Sequence, residues 1–205
     1  MKVWHFSTSD IRGGAARAAY RLHDAMRAEG IESRMYVRDM QSDDLDVRPI
    51  SYKSLRKLSF KEYFRRMSLI FMYGARKRQK GPKTTFNRNM APEIDLDSFP
   101  DASDESPDAL ILHWISGCLN VNGITSLAER YGCPVLWIAT DEEPFTGGCH
   151  YTLGCTRYKE MCGSCPQLSS DREYDLSRFT WSEKQTLSRV KKFALIGSTD
   201  CLYES

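Results

Sequence analysis

Within the first 38 residues the chain runs strand, glycine turn, helix, strand, and this order constrains the fold more than any other feature. Residues 2–7 form a short apolar and aromatic run that reads as a strand. A polar turn with Gly13 and Gly14 follows. Over residues 15–29, Ala15, Ala18, Ala19, Leu22, Ala25 and Met26 recur at three- and four-residue spacing, which predicts an amphipathic helix. Gly30 stands where a helix-terminating glycine belongs, and residues 33–38 predict a second strand. A strand that passes through a turn and a helix into another strand opens a βαβ unit, and hence a parallel sheet.

The rhythm breaks over about 40–108 and then resumes. Residues 109–114 and 134–139 predict strands, 123–131 and about 178–191 predict helices, and 193–196 a last strand. The expected architecture is α/β: one Rossmann-like parallel sheet flanked by helices, spanning residues 1–205. It carries a variable, basic helical insertion at about 40–108 and a cysteine-rich loop at about 141–170. Ser198 and Thr199 suit an N-cap and Asp200 the first turn of a further helix, so the sequence is expected to be a piece of a longer protein.

At 205 residues, 41% hydrophobic and 27% charged, the chain can bury one sizeable core. The N-terminus lacks the apolar segment of a signal peptide, and the apolar run Leu69 to Tyr73 is too short to span a bilayer. A cytoplasmic location is expected, with the seven cysteines as thiols or metal ligands rather than a disulfide framework.

Charge is blocked along the chain. Residues 53–83 hold eleven Lys or Arg against the single acid Glu62, and residues 93–108 hold seven acids and no base. Leu55, Leu58, Phe64, Met67, Ile70 and Phe71 can share one helix face within the basic block. Such a helix either lies on an anionic membrane surface or packs its apolar face on the domain and leaves its charge in water. No nucleic-acid motif accompanies the bases, so nucleic acid is not an expected partner.

Three groups of residues can carry chemistry. Gly13, Gly14 and Arg17 lie where a first strand enters its helix; glycines there let a ligand approach the backbone and reach free helix N–H groups, or they merely make a tight turn. The dinucleotide pattern G-x-G-x-x-G is absent. His113 and Trp114 close one strand and Asp141 lies just past the next, the edge where open α/β sheets gather ligand contacts. Lastly, Cys149, Cys155, Cys162 and Cys165 fall within seventeen residues. Two thiolate pairs on a loop match a closed, tetrahedral structural zinc site, with His150 as a reserve ligand. Four reduced thiols, or a redox pair at Cys162 and Cys165, are the other readings. Cys118, Cys133 and Cys201 are isolated and read as core or incidental thiols.

Taken in order, STSDIRGGAARAAYRLHDAM (Ser7 to Met26), LHWISG (Leu112 to Gly117), PVLWIATD (Pro134 to Asp141), PFTGGCHYTLGC with CGSCPQL (Pro144 to Leu168), and then Trp181 and Lys184 resemble the family-four glycosyltransferases. The likeness is to a bacterial branch associated with exopolysaccharide and colanic-acid-type synthesis. It covers the chain except for about 40–108. The resemblance implies the N-terminal, acceptor-side half of a two-domain GT-B fold and a retaining transfer of sugar from a nucleotide-diphosphate donor. The acceptor is a glycan or a lipid-linked molecule. It also implies a separate donor domain with a paired-glutamate motif, absent from this sequence, so the 205 residues alone are expected to be inactive.

By position, Gly13, Gly14 and Arg17 match the family's cleft-facing glycine loop, with Gly147 and Gly148 as further substrate-binding candidates. His113 and Asp141 match family histidine and aspartate positions and are the catalytic candidates. The sequence departs from the branch at Thr140, where histidine is usual, and at Glu142 and Glu143, where apolar or aromatic residues are usual. A non-catalytic glycosyltransferase-like binding module, or a zinc or redox cysteine module, is the alternative reading.

Overall fold

The computed structural model describes residues 1–54, 59–74, 86–87, 90–100 and 105–197. Leu55 and Leu58, the bases from Arg76 to Lys83 and the capping residues Ser198 and Thr199 lie outside the described residues.

Six strands form one sheet: β1 (Lys2–Ser9), β2 (Glu32–Asp39), β3 (Val47–Pro49), β4 (Ala109–Leu112), β5 (Val135–Ala139) and β6 (Phe193–Gly197). They lie in the order β3-β2-β1-β4-β5-β6, and every neighbouring pair is parallel. Among the described residues four α-helices accompany them: α1 (Gly14–Ala28), α2 (Phe60–Gly74), α3 (Val121–Tyr131) and α4 (Leu176–Gln185). The α/β class and the flanked parallel sheet therefore follow the sequence expectation.

Side chains alternate across the strands, so each face buries its own set. Trp4 and Phe6 of β1, Leu110 and Leu112 of β4, and Val135 and Trp137 of β5 meet Ile124 and Leu127 of α3 in the main core. Trp4 stands edge-on to Tyr36 and Tyr131, with ring centroids 5.1 and 4.8 Å away. The opposite face is covered by α1, whose Ala19 packs on Met35, Val37 and Val47.

Helix ends follow local chemistry. Asn120 caps α3 by accepting the Gly123 N–H at 2.9 Å, and Gly132 at φ 61° ends it. Asp175 caps α4 through the N–H groups of Ser177 and Arg178. The helix expected over 178–191 is shorter, because Thr186 and Ser188 return hydroxyl hydrogen bonds to the carbonyls of Glu183 and Gln185 as the chain tightens into a 3-10 turn at Thr186–Arg189.

The orientation of α2 differs from the expectation that its apolar face packs on the domain. Glu62 and Arg65 point inward and are buried. Arg65 Nε donates to Glu183 Oε1 of α4 at 2.6 Å, and Asn122 of α3 donates to Glu62. Among the described side chains of α2, Leu69 adds the apolar inward contact, against Cys149, Cys165, Leu168 and Leu176. Phe60 and Phe71 are 78% and 74% exposed, and Tyr63, Phe64, Met67 and Ile70 are exposed beside them. No helix of the described residues is long and apolar enough to cross a membrane.

Candidate functional site

The strand order reverses direction between β1 and β4. The chain leaves β1 for α1 on one face and β4 for α3 on the other, which opens a crevice over the carboxyl ends of these strands. A cavity of about 420 Å³ occupies this place, lined by Thr8, Arg12, Gly13, Gly14, Arg38 and Trp114 among others.

Each wall is fixed by identifiable bonds. Thr8 joins β1 to the segment after β4: its N–H donates to Trp114 O at 2.9 Å and its hydroxyl reaches Trp114 O and Ser116 O. The fully buried Asp10 ties the glycine turn to the segment after β2. Its carboxylate accepts N–H groups from Ile11, Gln41 and Ser42, the last at 2.7 Å. Burial alone would raise the Asp10 pKa, but these backbone donors outweigh it and hold the group below its ordinary value. Arg38 is set by a fork onto Asp39 and by a bond to Gly117 O at 3.1 Å.

Gly13 sits at φ +98°, a conformation that favours glycine, and begins α1 with no side-chain cap on the helix N–H groups. A Cβ on Gly13 or Gly14 would meet nothing within 4 Å. An uncapped helix start beside Arg12 and Arg38 is suited to an anion. Of the predicted triplet, both glycines line the cavity. Arg17 does not; it is exposed, with its Nε 3.4 Å from Gly13 O. Arg12 and Arg38 were not singled out from sequence, although Arg38 ends a strand at the same sheet edge that drew notice to His113.

His113 is placed elsewhere. It is buried and stacks on His5 at 5.2 Å between ring centroids, with its Nε2 2.9 Å from His5 Nδ1, and His23 of α1 packs edge-on against His5. Burial, together with its neighbours, lowers the pKa of His113 to about 4 and of His5 to about 2, so both rings are neutral.

Asp141 meets a different histidine. Its Oδ2 lies 2.6 Å from His150 Nδ1, and Trp114 Nε1 is 3.2 Å from that same nitrogen. One nitrogen cannot both donate and accept, and the shorter contact to a carboxylate places the proton of a neutral ring on Nδ1. The buried Nε2 then carries a lone pair and has no hydrogen-bond partner among the described residues. With that proton in place the Trp114 indole N–H finds no acceptor on Nδ1, and the two rings meet by packing, 5.5 Å between centroids; His150, the reserve ligand should a cysteine point away, does not line the cysteine cavity.

Thr140 is exposed, while the two unusual glutamates hold the loop that follows. Glu142 accepts the N–H and hydroxyl of Thr152. Buried Glu143 accepts from Lys184 at 2.5 Å and from Asn87 at 2.8 Å. Gly147 and Gly148 are buried, and close packing accounts for both. A Cβ on Gly147 would lie 2.3 Å from Ser177 O, and one on Gly148 2.3 Å from Asn87 O.

The four clustered cysteines converge. Cys149, Cys155, Cys162 and Cys165 line one cavity of about 20 Å³, and none is in a disulfide. The Cys149 thiol hydrogen-bonds to Cys165, which pushes the Cys149 pKa up and lowers that of Cys165; burial pushes Cys162 up to about 11. Among the described residues, no three His, Cys, Asp or Glu side chains form a ready-made ion site.

Comparison with protein-family models, with curated proteins and with solved structures finds no match to this chain.

Proposed function

We propose that the chain is the Rossmann-like, acceptor-side half of a retaining glycosyltransferase that uses a nucleotide-diphosphate sugar. The observation that carries this reading is the crevice between β1 and β4, where an uncapped helix start, two glycines and two arginines surround a cavity of about 420 Å³. N–H groups and guanidinium groups are the donors that suit a diphosphate, and a cavity of this size suits a small polar ligand. The ordered motifs that resemble family-four enzymes support the same reading. In it Arg12, Arg38 and the glycine turn face the ligand, Arg17 stands by at the start of α1, and the His150 ring, held by Asp141, packs beside Trp114.

Calorimetric titration with uridine diphosphate and with nucleotide-diphosphate sugars tests the site. Weak binding is expected, reduced more than tenfold by Gly14→Ala without loss of stability, because the added methyl enters open space in the crevice. Binding that Gly14→Ala leaves unchanged contradicts the assignment. Turnover of a nucleotide sugar by these 205 residues alone contradicts the assignment of the chain as only half of the enzyme.

The exposed face of α2 supports a cytoplasmic enzyme held peripherally on the inner face of the plasma membrane, where a lipid-linked acceptor is available. Six large apolar side chains face outward from a 15-residue helix, inside a block of eleven bases and one acid. Aromatic groups can enter the headgroup boundary while bases attract anionic lipid. Co-sedimentation with phosphatidylglycerol vesicles should exceed that with phosphatidylcholine, fall as salt rises, and drop about tenfold for each of Phe64→Ser and Phe71→Ser. Equal sedimentation with both lipids, or with neither, contradicts this placement.

A further inference from the structure

Between β5 and α4 the chain crosses residues 140–175 without a strand, making only 3-10 turns at Glu143–Phe145, Arg157–Lys159 and Pro166–Leu168. Its buried apolar cluster is small, with Cys149, Cys165 and Leu168 set against Leu69 of α2 and Leu176 of α4. Ordering the backbone of so long a segment costs about 1–2 kcal/mol per residue, more than such a cluster offsets. The bonds of Glu142, Glu143 and Lys184 fix its first part, and the cysteines lie in the remainder.

The cysteines are built into that segment in a particular way. Residues up to sixteen positions apart line one half-open space of about 20 Å³, room for a single small occupant. Cys149, Cys162 and Cys165 are buried and Cys155 is half-buried, while His150, next in sequence to Cys149, turns the other way to Asp141. One backbone donor aims at a sulfur, the Gly147 N–H, which reaches Cys162 Sγ at 3.2 Å.

Between Cys162 and Cys165 the turn takes Gly163 to φ 143° and Ser164 to φ 42°. A Cβ on Gly163 would strike Glu173 O at 2.3 Å. Two guanidinium groups grip the same turn from outside. Arg157 donates to Gly163 O and Ser164 O at 3.1 and 3.0 Å, and Arg178 to Cys162 O at 2.5 Å.

We propose that Cys149, Cys155, Cys162 and Cys165 bind one zinc ion and that the ion is structural. Four S–H bonds lose their protons to solvent as four Zn–S bonds form. One dication and four thiolates leave two net negative charges, which the Gly147 N–H and the Arg157 and Arg178 guanidinium groups on the same turn offset. Four protein ligands leave no coordination position for water or substrate, so the ion orders the loop and does no chemistry. The site stands independently of the glycosyltransferase reading.

The test uses the full chain, expressed with zinc and purified without chelator. Elemental analysis should give about one zinc per chain, with Cys149, Cys155, Cys162 and Cys165 unreactive until a chelator is added. Cobalt(II) added to the chelated protein should produce thiolate-to-metal charge-transfer absorption and tetrahedral ligand-field bands. Cys162→Ser should weaken metal binding more than tenfold while Cys133→Ala, placed in the main core, leaves it unchanged. Should Cys162→Ser fail to fold, the cobalt titration of the native chain decides alone. Zinc well below one per chain with all four thiols titratable, or a disulfide between Cys162 and Cys165 in protein handled without oxidant, overturns the site.

Discussion

Lys184 grips the segment after β5 through three oxygens: Glu143 O and Glu143 Oε1 at 2.5 Å, and Thr146 O at 3.1 Å. Both charged groups are buried, at 7% and 3% exposure, so neither can fall back on water. Glu143→Ala leaves the ammonium without its carboxylate and should destabilise the chain by about 3–5 kcal/mol in urea unfolding, whereas Glu143→Leu combined with Lys184→Met should recover much of that loss. Two glycines give a matched contrast. Gly14→Ala adds a methyl to open space in helical backbone and should leave stability within about 0.5 kcal/mol or raise it slightly. Gly147→Ala drives a Cβ into the Ser177 carbonyl and should cost about 1–3 kcal/mol, measured the same way. The glycine turn and the cysteine group were legible in the sequence because their spacing is local. The pairing of Asp141 with His150 was not, since nine residues of loop must fold back before the two meet.

Among the elements, those with long apolar runs or full helical periods were read almost to their ends: β1, α1, β2, β4, β5 and β6. β3 escaped because three residues, Val47–Pro49, carry no period, and their strand character comes from pairing with β2. For α2 the period was visible but its direction was not. The inward face is chosen by Glu183 and Asn122, neighbours supplied by α4 and α3, and a helical wheel contains neither. The account therefore predicts that Glu183→Ala loosens α2 by about 1.5–3 kcal/mol, seen as faster hydrogen exchange at residues 60–71 with the sheet unchanged. Unaltered exchange in α2 would mean that the Arg65–Glu183 bond does not hold it.

For the molecule as a whole, the three histidines packed between β1, β4 and α1 predict a pH signature. Their pKa values are lowered in the folded state, to about 2 for His5 and about 4 for His113, with His23 also lowered. Below about pH 6.5 the unfolded chain takes up protons that the folded chain refuses, so stability should fall as pH drops from about 6.5 toward 4. The slope is about 1.4 kcal/mol per pH unit for each histidine, and His113→Asn should reduce it by about a third. Asp10 acts in a lower window: with its pKa held below normal, its contribution is present above about pH 4 and fades as pH falls through the folded value.

The crevice unites these scales, since Asp10, Thr8, Arg38 and the glycine turn gain meaning only where the strand order reverses. Amide chemical-shift mapping with uridine diphosphate tests that claim most directly. The account predicts saturable shifts confined to residues 8–16, 38–39 and 114–117, lost in Gly14→Ala. Shifts located elsewhere, or none at millimolar ligand, would contradict it.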